Sequence, residues 1–231
     1  MKTSKAAIFG DSIMRGAYWH EESQGYKIWN NTRYIQNLAE HLGVDVVNYS
    51  QMGATVERGE TKIDNALAAG LDCQTAFLEY GGNDSDFDWA AVAADPRGSH
   101  QPRTALPRFR QSYLRIIETL RGRGIQPVLM SLPPIDSRRY FQWFSQGLDG
   151  EALRSWLEDL DSIYRHQEAY SLEVERIAAA AGCPLVDLRL PLLLRRDLPR
   201  LLCTDGIHPS PEGYHVIWQE IEKFCYDFWQ A

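Results

Sequence analysis

Five short apolar runs, at 6–9, 44–48, 75–80, 127–132 and 184–188, constrain this chain more than any other feature. Each has strand length, and Gly, Pro, Asn or Ser punctuates its ends, as in parallel strands buried on both faces. Segments with helical spacing lie between them. Across 104–122, Leu106, Phe109, Tyr113, Ile116, Ile117 and Leu120 recur at intervals of mostly three or four, and Gly122 and Gly124 end the pattern. Tyr34, Leu38 and Leu42 mark a helix that stops at Gly43, and 151–181 reads as another helical segment. Ser210-Pro211 opens the last helix, as a cap followed by proline in the first turn. Strands and helices that alternate in this way predict one α/β domain over residues 1–231 with a parallel sheet. In such sheets chemistry collects beyond the carboxyl ends of the strands.

Four segments sit at those ends. The first strand runs into Gly10-Asp11-Ser12, which alone is an ordinary strand-to-turn serine. It does not match G-x-S-x-G, because Met14 stands where the second glycine belongs. Neither a dinucleotide fingerprint nor a P-loop is present. The second strand leads to Gly53, whose backbone N–H is unobstructed by a side chain. The third leads to Gly81-Gly82-Asn83-Asp84, where an Asn amide can donate to a developing oxyanion. The fourth is Asp205-Gly206-Ile207-His208-Pro209. A serine hydroxyl needs a neutral imidazole to take its proton, and that ring needs a partner to fix its tautomer. An Asp three residues before a His, across a glycine turn, has the reach to be that partner.

In this order the four segments resemble the sequence blocks of SGNH (GDSL) hydrolases: G-D-S, a lone Gly, G-x-N-D and D-x-x-H-P. The matches run from residue 9 to 209. The resemblance implies a flavodoxin-like three-layer α/β/α sandwich with a central five-stranded parallel sheet and no metal or organic cofactor. It implies Ser12 as nucleophile, His208 as base and then acid, and Asp205 as its orienting group. The oxyanion hole would comprise the Ser12 and Gly53 backbone N–H groups and the Asn83 side chain. The expected function is hydrolysis of carboxylic esters with small or medium acyl groups, an O-acetylated carbohydrate among them. A lysophospholipase or thioesterase is the alternative within the family, and a non-catalytic carbohydrate- or ligand-binding module the alternative outside it.

Two insertions, around 84–103 and 136–166, bear on the substrate. The first reads as a long loop largely without secondary structure, and the second carries the aromatic cluster Tyr140-Phe141-Gln142-Trp143-Phe144. Asp84, Trp89 and Trp143 are the candidate substrate contacts. Residues 84–88 open with the rhythm of a calcium loop, but Trp89 occupies the position that requires glycine, so no metal ligand set is read there.

A net charge of −7 with only short basic clusters argues against a nucleic-acid or anionic-membrane partner and leaves a small-molecule ester. Self-association is left open. Cys73, Cys183, Cys203 and Cys225 form no C-x-x-C pair, and the apolar run after Met1-Lys2-Thr3-Ser4-Lys5 is far shorter than a signal-peptide core. A cytoplasmic location is the resulting expectation.

Overall fold

A computed structural model of the chain describes residues 4–230. Met1, Lys2 and Thr3, part of the basis for the compartment expectation, and Ala231 lie outside them. The amino-terminal half runs β1 (Ser4–Gly10), α1 (Ser12–Arg15), β2 (Ala17–His20), β3 (Gly25–Ile28), α2 (Thr32–Leu42), β4 (Val44–Asn48), α3 (Val56–Ala68) and β5 (Thr75–Glu79). It continues through α4 (Trp89–Ala94), α5 (Leu106–Gly122), β6 (Gln126–Met130), α6 (Ser137–Phe144), α7 (Gly150–Leu157) and α8 (Asp161–Ala181). The chain closes with β7 (Leu185–Val186), α9 (Arg189–Leu193), α10 (Leu198–Leu201) and α11 (Pro211–Gln230).

The five expected runs form one parallel sheet in the order β4-β1-β5-β6-β7. Side chains alternate across it, as the two-residue period of a strand requires. Ala7, Phe9, Ala76 and Leu78 pack on one face under α3, α5 and α8. Ala6, Ile8, Phe77, Val128 and Met130 pack on the other under α2 and α11. Both faces are dry, so the sheet is the middle of three layers. Counting only these strands, the order is 2-1-3-4-5, whose switch point lies between β1 and β5. The segments after those two strands carry Ser12 and Asn83.

Three details depart from the sequence expectations. The insertion around 84–103 contains α4, because the Asp88 side chain accepts a hydrogen bond from the Ala91 N–H and caps a run rich in alanine. The segment 151–181 is two helices, broken beside Glu158, which takes a positive φ of 58°. An antiparallel hairpin, β2 with β3, follows the first strand end. A third apolar cluster, built on Trp89, Val92, Phe141, Leu153, Leu157 and Ile163, joins α4, α6 and α7 to the start of α8. The two insertions therefore form one cap beside the sheet's carboxyl edge.

Candidate active site

Ser12 is the first residue of α1, directly beyond β1. Asp11 caps that helix by accepting from the Ile13 N–H at 2.8 Å. The Ser12 hydroxyl lies 2.9 Å from His208 Nε2, and His208 Nδ1 lies 2.6 Å from Asp205 Oδ2. Asp205 and His208 meet within one tight turn. Asp205 Oδ1 accepts from the backbone N–H groups of Ile207 and His208 at 3.1 and 3.0 Å. Gly206 is required there, because its φ is 76° and any Cβ would stand 2.6 Å from Asp136 O and Tyr140 N. Burial pushes the Asp205 carboxyl up, but the hydrogen bond and charge of His208, with the two backbone donors, hold it below its ordinary value. An ionised Asp205 accepts a proton donor at Nδ1. That leaves Nε2 with a lone pair directed at the Ser12 hydroxyl.

Asn83 follows β5 and lines the cavity above Ser12, as does Gly53. The Asn83 amide donates one Nδ2–H to Asp11 Oδ2 at 2.9 Å. Gly53 sits at φ 67°, in the left-handed region that glycine enters at least cost. The loop before it is tied to β1, since the Gln51 N–H donates to Gly10 O at 3.0 Å. Two donor groups from different strand ends thus share one cavity mouth with the serine.

The three candidate substrate contacts have different fates. Trp89 lines the cavity, and its Nε1–H donates to Asp86 at 2.8 Å. Asp84 does not line it. Its carboxylate is fully buried and accepts from the Val56 N–H with both oxygens at 3.0 Å, holding the start of α3. Burial pushes its pKa up to about 7. Its work is therefore to fasten the Gly53 loop to the Asn83 loop, a long-range contact without a local sequence signal. Trp143 also stands off the cavity wall, packed edge-on against Trp19 with ring centroids 4.5 Å apart.

Sequence reasoning places Tyr26 among the aromatics after Ser12 but gives it no role in the triad. Its hydroxyl reaches over from β3 and donates to Asp205 Oδ2 at 3.1 Å, and its ring lies 4.9 Å from that of His208. Burial, followed by the charge of Asp205, pushes the phenol up, so it stays a donor. An aromatic residue in an unforeseen hairpin gave no spacing that would have identified it.

The cavity that opens at Ser12 and His208 has a volume of about 460 Å³. Its far walls are largely apolar and come from the cap: Phe87, Trp89, Trp156, Leu157 and Ile163, with Leu132 beyond β6. His166 shares the wall, and burial holds its imidazole toward the neutral form. Asp86 fastens the cap together, accepting from Trp89 Nε1, from the Tyr140 hydroxyl at 2.7 Å and from Arg103 at 3.0 Å. Among the described residues, no three or more His, Cys, Asp or Glu side chains gather as a metal site. No helix among them is long and apolar enough to cross a membrane.

A serine, an imidazole and a carboxylate in series, with N–H donors facing them across the switch point of a parallel sheet, form the geometry of a serine hydrolase. The chain belongs to the GDSL-like lipase/acylhydrolase family, whose profile matches residues 8–216, and it is an ester hydrolase. It is 31% identical over 230 residues to the uncharacterized lipoprotein YqeF of Bacillus subtilis (strain 168), covering 93% of this chain and 86% of that one. An acetylxylan esterase from Geobacillus stearothermophilus shares the fold with a TM-score of 0.68 at 18% identity, over 96% of this chain and 94% of that one. A lipase/acylhydrolase from Enterococcus faecalis does so with a TM-score of 0.64 at 19% identity, with the same coverage.

Proposed function

We propose that this protein hydrolyses carboxylic esters of apolar, medium-length acyl groups through an acyl-enzyme on Ser12. The observation that carries the acyl preference is the aromatic-walled cavity of about 460 Å³ beside the serine, which an acetyl group leaves mostly empty. Likeness to an acetylxylan esterase at 18% identity speaks for fold alone and does not set the acyl group.

In the proposed reaction, Ser12 Oγ attacks the ester carbonyl while His208 Nε2 takes the hydroxyl proton. Asp205 holds the ring in the required tautomer and stabilises the imidazolium. The negative oxygen that forms is received by the Asn83 amide and by the Ser12 and Gly53 backbone N–H groups. His208 then returns its proton to the departing alkoxide. Water, activated by the same imidazole, releases the acid and frees Ser12.

A series of p-nitrophenyl esters tests the reading. We expect kcat/KM to peak between butanoyl and octanoyl and to fall for acetyl. A maximum at acetyl overturns the acyl assignment, and absence of hydrolysis across the series overturns the whole reading.

A further inference from the structure

Three carboxyl groups lie buried beneath the proposed oxyanion site, more than hydrolysis by Ser12, His208 and Asp205 requires. Asp11 and Glu79 are each 1% exposed and Asp84 is fully buried. Strand register explains how the first two meet. Gly10 pairs with Glu79 across β1 and β5, so Asp11 emerges next to the Glu79 side chain. Both carboxyls line the cavity at Ser12. Two neighbouring carboxylates shielded from water do not both ionise, because Coulomb repulsion adds to the loss of hydration.

The hydrogen bonding decides which of the two keeps the proton. Burial raises the Asp11 carboxyl as well, but it accepts from the Ile13 N–H at 2.8 Å and from Asn83 Nδ2 at 2.9 Å, a pattern that suits the ionised form. No N–H or hydroxyl of the described residues reaches Glu79 Oε2. Burial first, then the charge of Asp11, pushes the Glu79 carboxyl well above its ordinary value. Asp11 and Asp84 act on Glu79, and the charge of Glu79 in turn bears on the phenols of Tyr80, Tyr113 and Tyr214; none of these groups is cationic, while His208 faces Asp11.

We propose that Glu79 is a positioning residue: its protonated carboxyl donates to Asp11, and Asp11 holds the Asn83 amide with its second N–H free for the oxyanion. The carboxylate of Asp11 has room for a third donor, since its two oxygens offer about four lone-pair sites. The arrangement also limits the pair to one negative charge. A second would oppose the oxyanion that forms above it.

This inference rests on the roles given to Ser12 and Asn83, so its test separates the two. Steady-state kinetics are compared for wild type, Glu79→Ala, Glu79→Gln, Asn83→Ala and the Glu79→Ala/Asn83→Ala double variant. Fluorophosphonate labelling of Ser12 runs in parallel. We expect Glu79→Ala to lower kcat about tenfold with KM nearly unchanged, a fraction of the ~10²–10³ lost with a whole oxyanion donor. Glu79→Gln, which supplies a neutral donor without a titratable proton, recovers most of that loss. In the Asn83→Ala background the Glu79→Ala change costs little more, because its effect runs through the amide. Full additivity in the double variant, an unaffected Glu79→Ala, or a folded Glu79→Gln as impaired as Glu79→Ala overturns the proposal. Should Glu79→Ala not fold, Glu79→Gln decides alone: near-native kcat supports it and a tenfold loss overturns it. A wild type that neither hydrolyses esters nor takes up label overturns the functional reading beneath it as well.

Discussion

The sheet's carboxyl edge and the aromatic cap meet at one cavity, yet they are held together in opposite ways. At the edge, each side chain is fixed by directed polar contacts of 2.6–3.1 Å: His208 to Asp205 and Ser12, Asp205 to its own turn, Asn83 to Asp11. The cap is held mainly by ring packing, as in Phe144 stacked on Trp89 with centroids 4.0 Å apart, around the polar hub Asp86. Directed bonds fix atoms to the tolerance that proton transfer needs, whereas apolar packing fixes a volume. On this account the edge sets the reaction and the cap sets the acyl group. Changes at the edge should register in kcat, and changes in the cap in KM and chain-length preference.

Asn83→Ala tests the edge hardest among the supporting groups. Loss of one oxyanion donor lowers kcat by ~10²–10³, and a cooperative unfolding transition well above the assay temperature will show that the fold survives. Asp86→Ala tests the cap. It strands the Trp89 and Tyr140 donors, costing about 1–3 kcal/mol by thermal or urea unfolding. KM for medium-chain esters rises while kcat stays close to wild type; a loss confined to kcat breaks the division between the two regions. Tyr26→Phe removes the donor that β3 contributes to Asp205, and kcat falls by roughly 3–10-fold, the size of one modest hydrogen bond.

The smallest effect concerns stability. Asp84 has its pKa raised to about 7, above the ~3.9 of an unfolded aspartate. A raised carboxyl contributes stability that is fully present below the unfolded value and is lost as pH rises through the folded one. The wild-type melting temperature should therefore fall between pH ~4 and pH ~7 more steeply than that of Asp84→Asn. Parallel curves for the two proteins would show that Asp84 does not titrate in this window.

The same division explains what the sequence made legible. All five strands were readable because strands buried on both faces leave continuous apolar runs, although β7 shrinks to Leu185–Val186 where five residues were expected. Asp205 and His208 were readable because their contact closes within a four-residue turn. The cap was not, since Trp89 meets Phe144 and Asp86 meets Tyr140 only through tertiary packing between two separate insertions. Asp84 shows how a motif can mislead. It sits in G-x-N-D beside the site, but its partner is Val56, 28 residues earlier in the chain. Tyr26 lies 179 residues from Asp205, in a hairpin whose turn has no Asn-Gly or Asp-Gly signature.

The central claim is that Ser12 becomes covalently acylated. Peptide mapping by mass spectrometry after fluorophosphonate treatment tests it most directly, with Ser12→Ala treated in parallel. The account predicts one adduct, on Ser12, and a variant that neither labels nor hydrolyses medium-chain esters. An adduct on another residue, or ester hydrolysis that persists in Ser12→Ala, would contradict it.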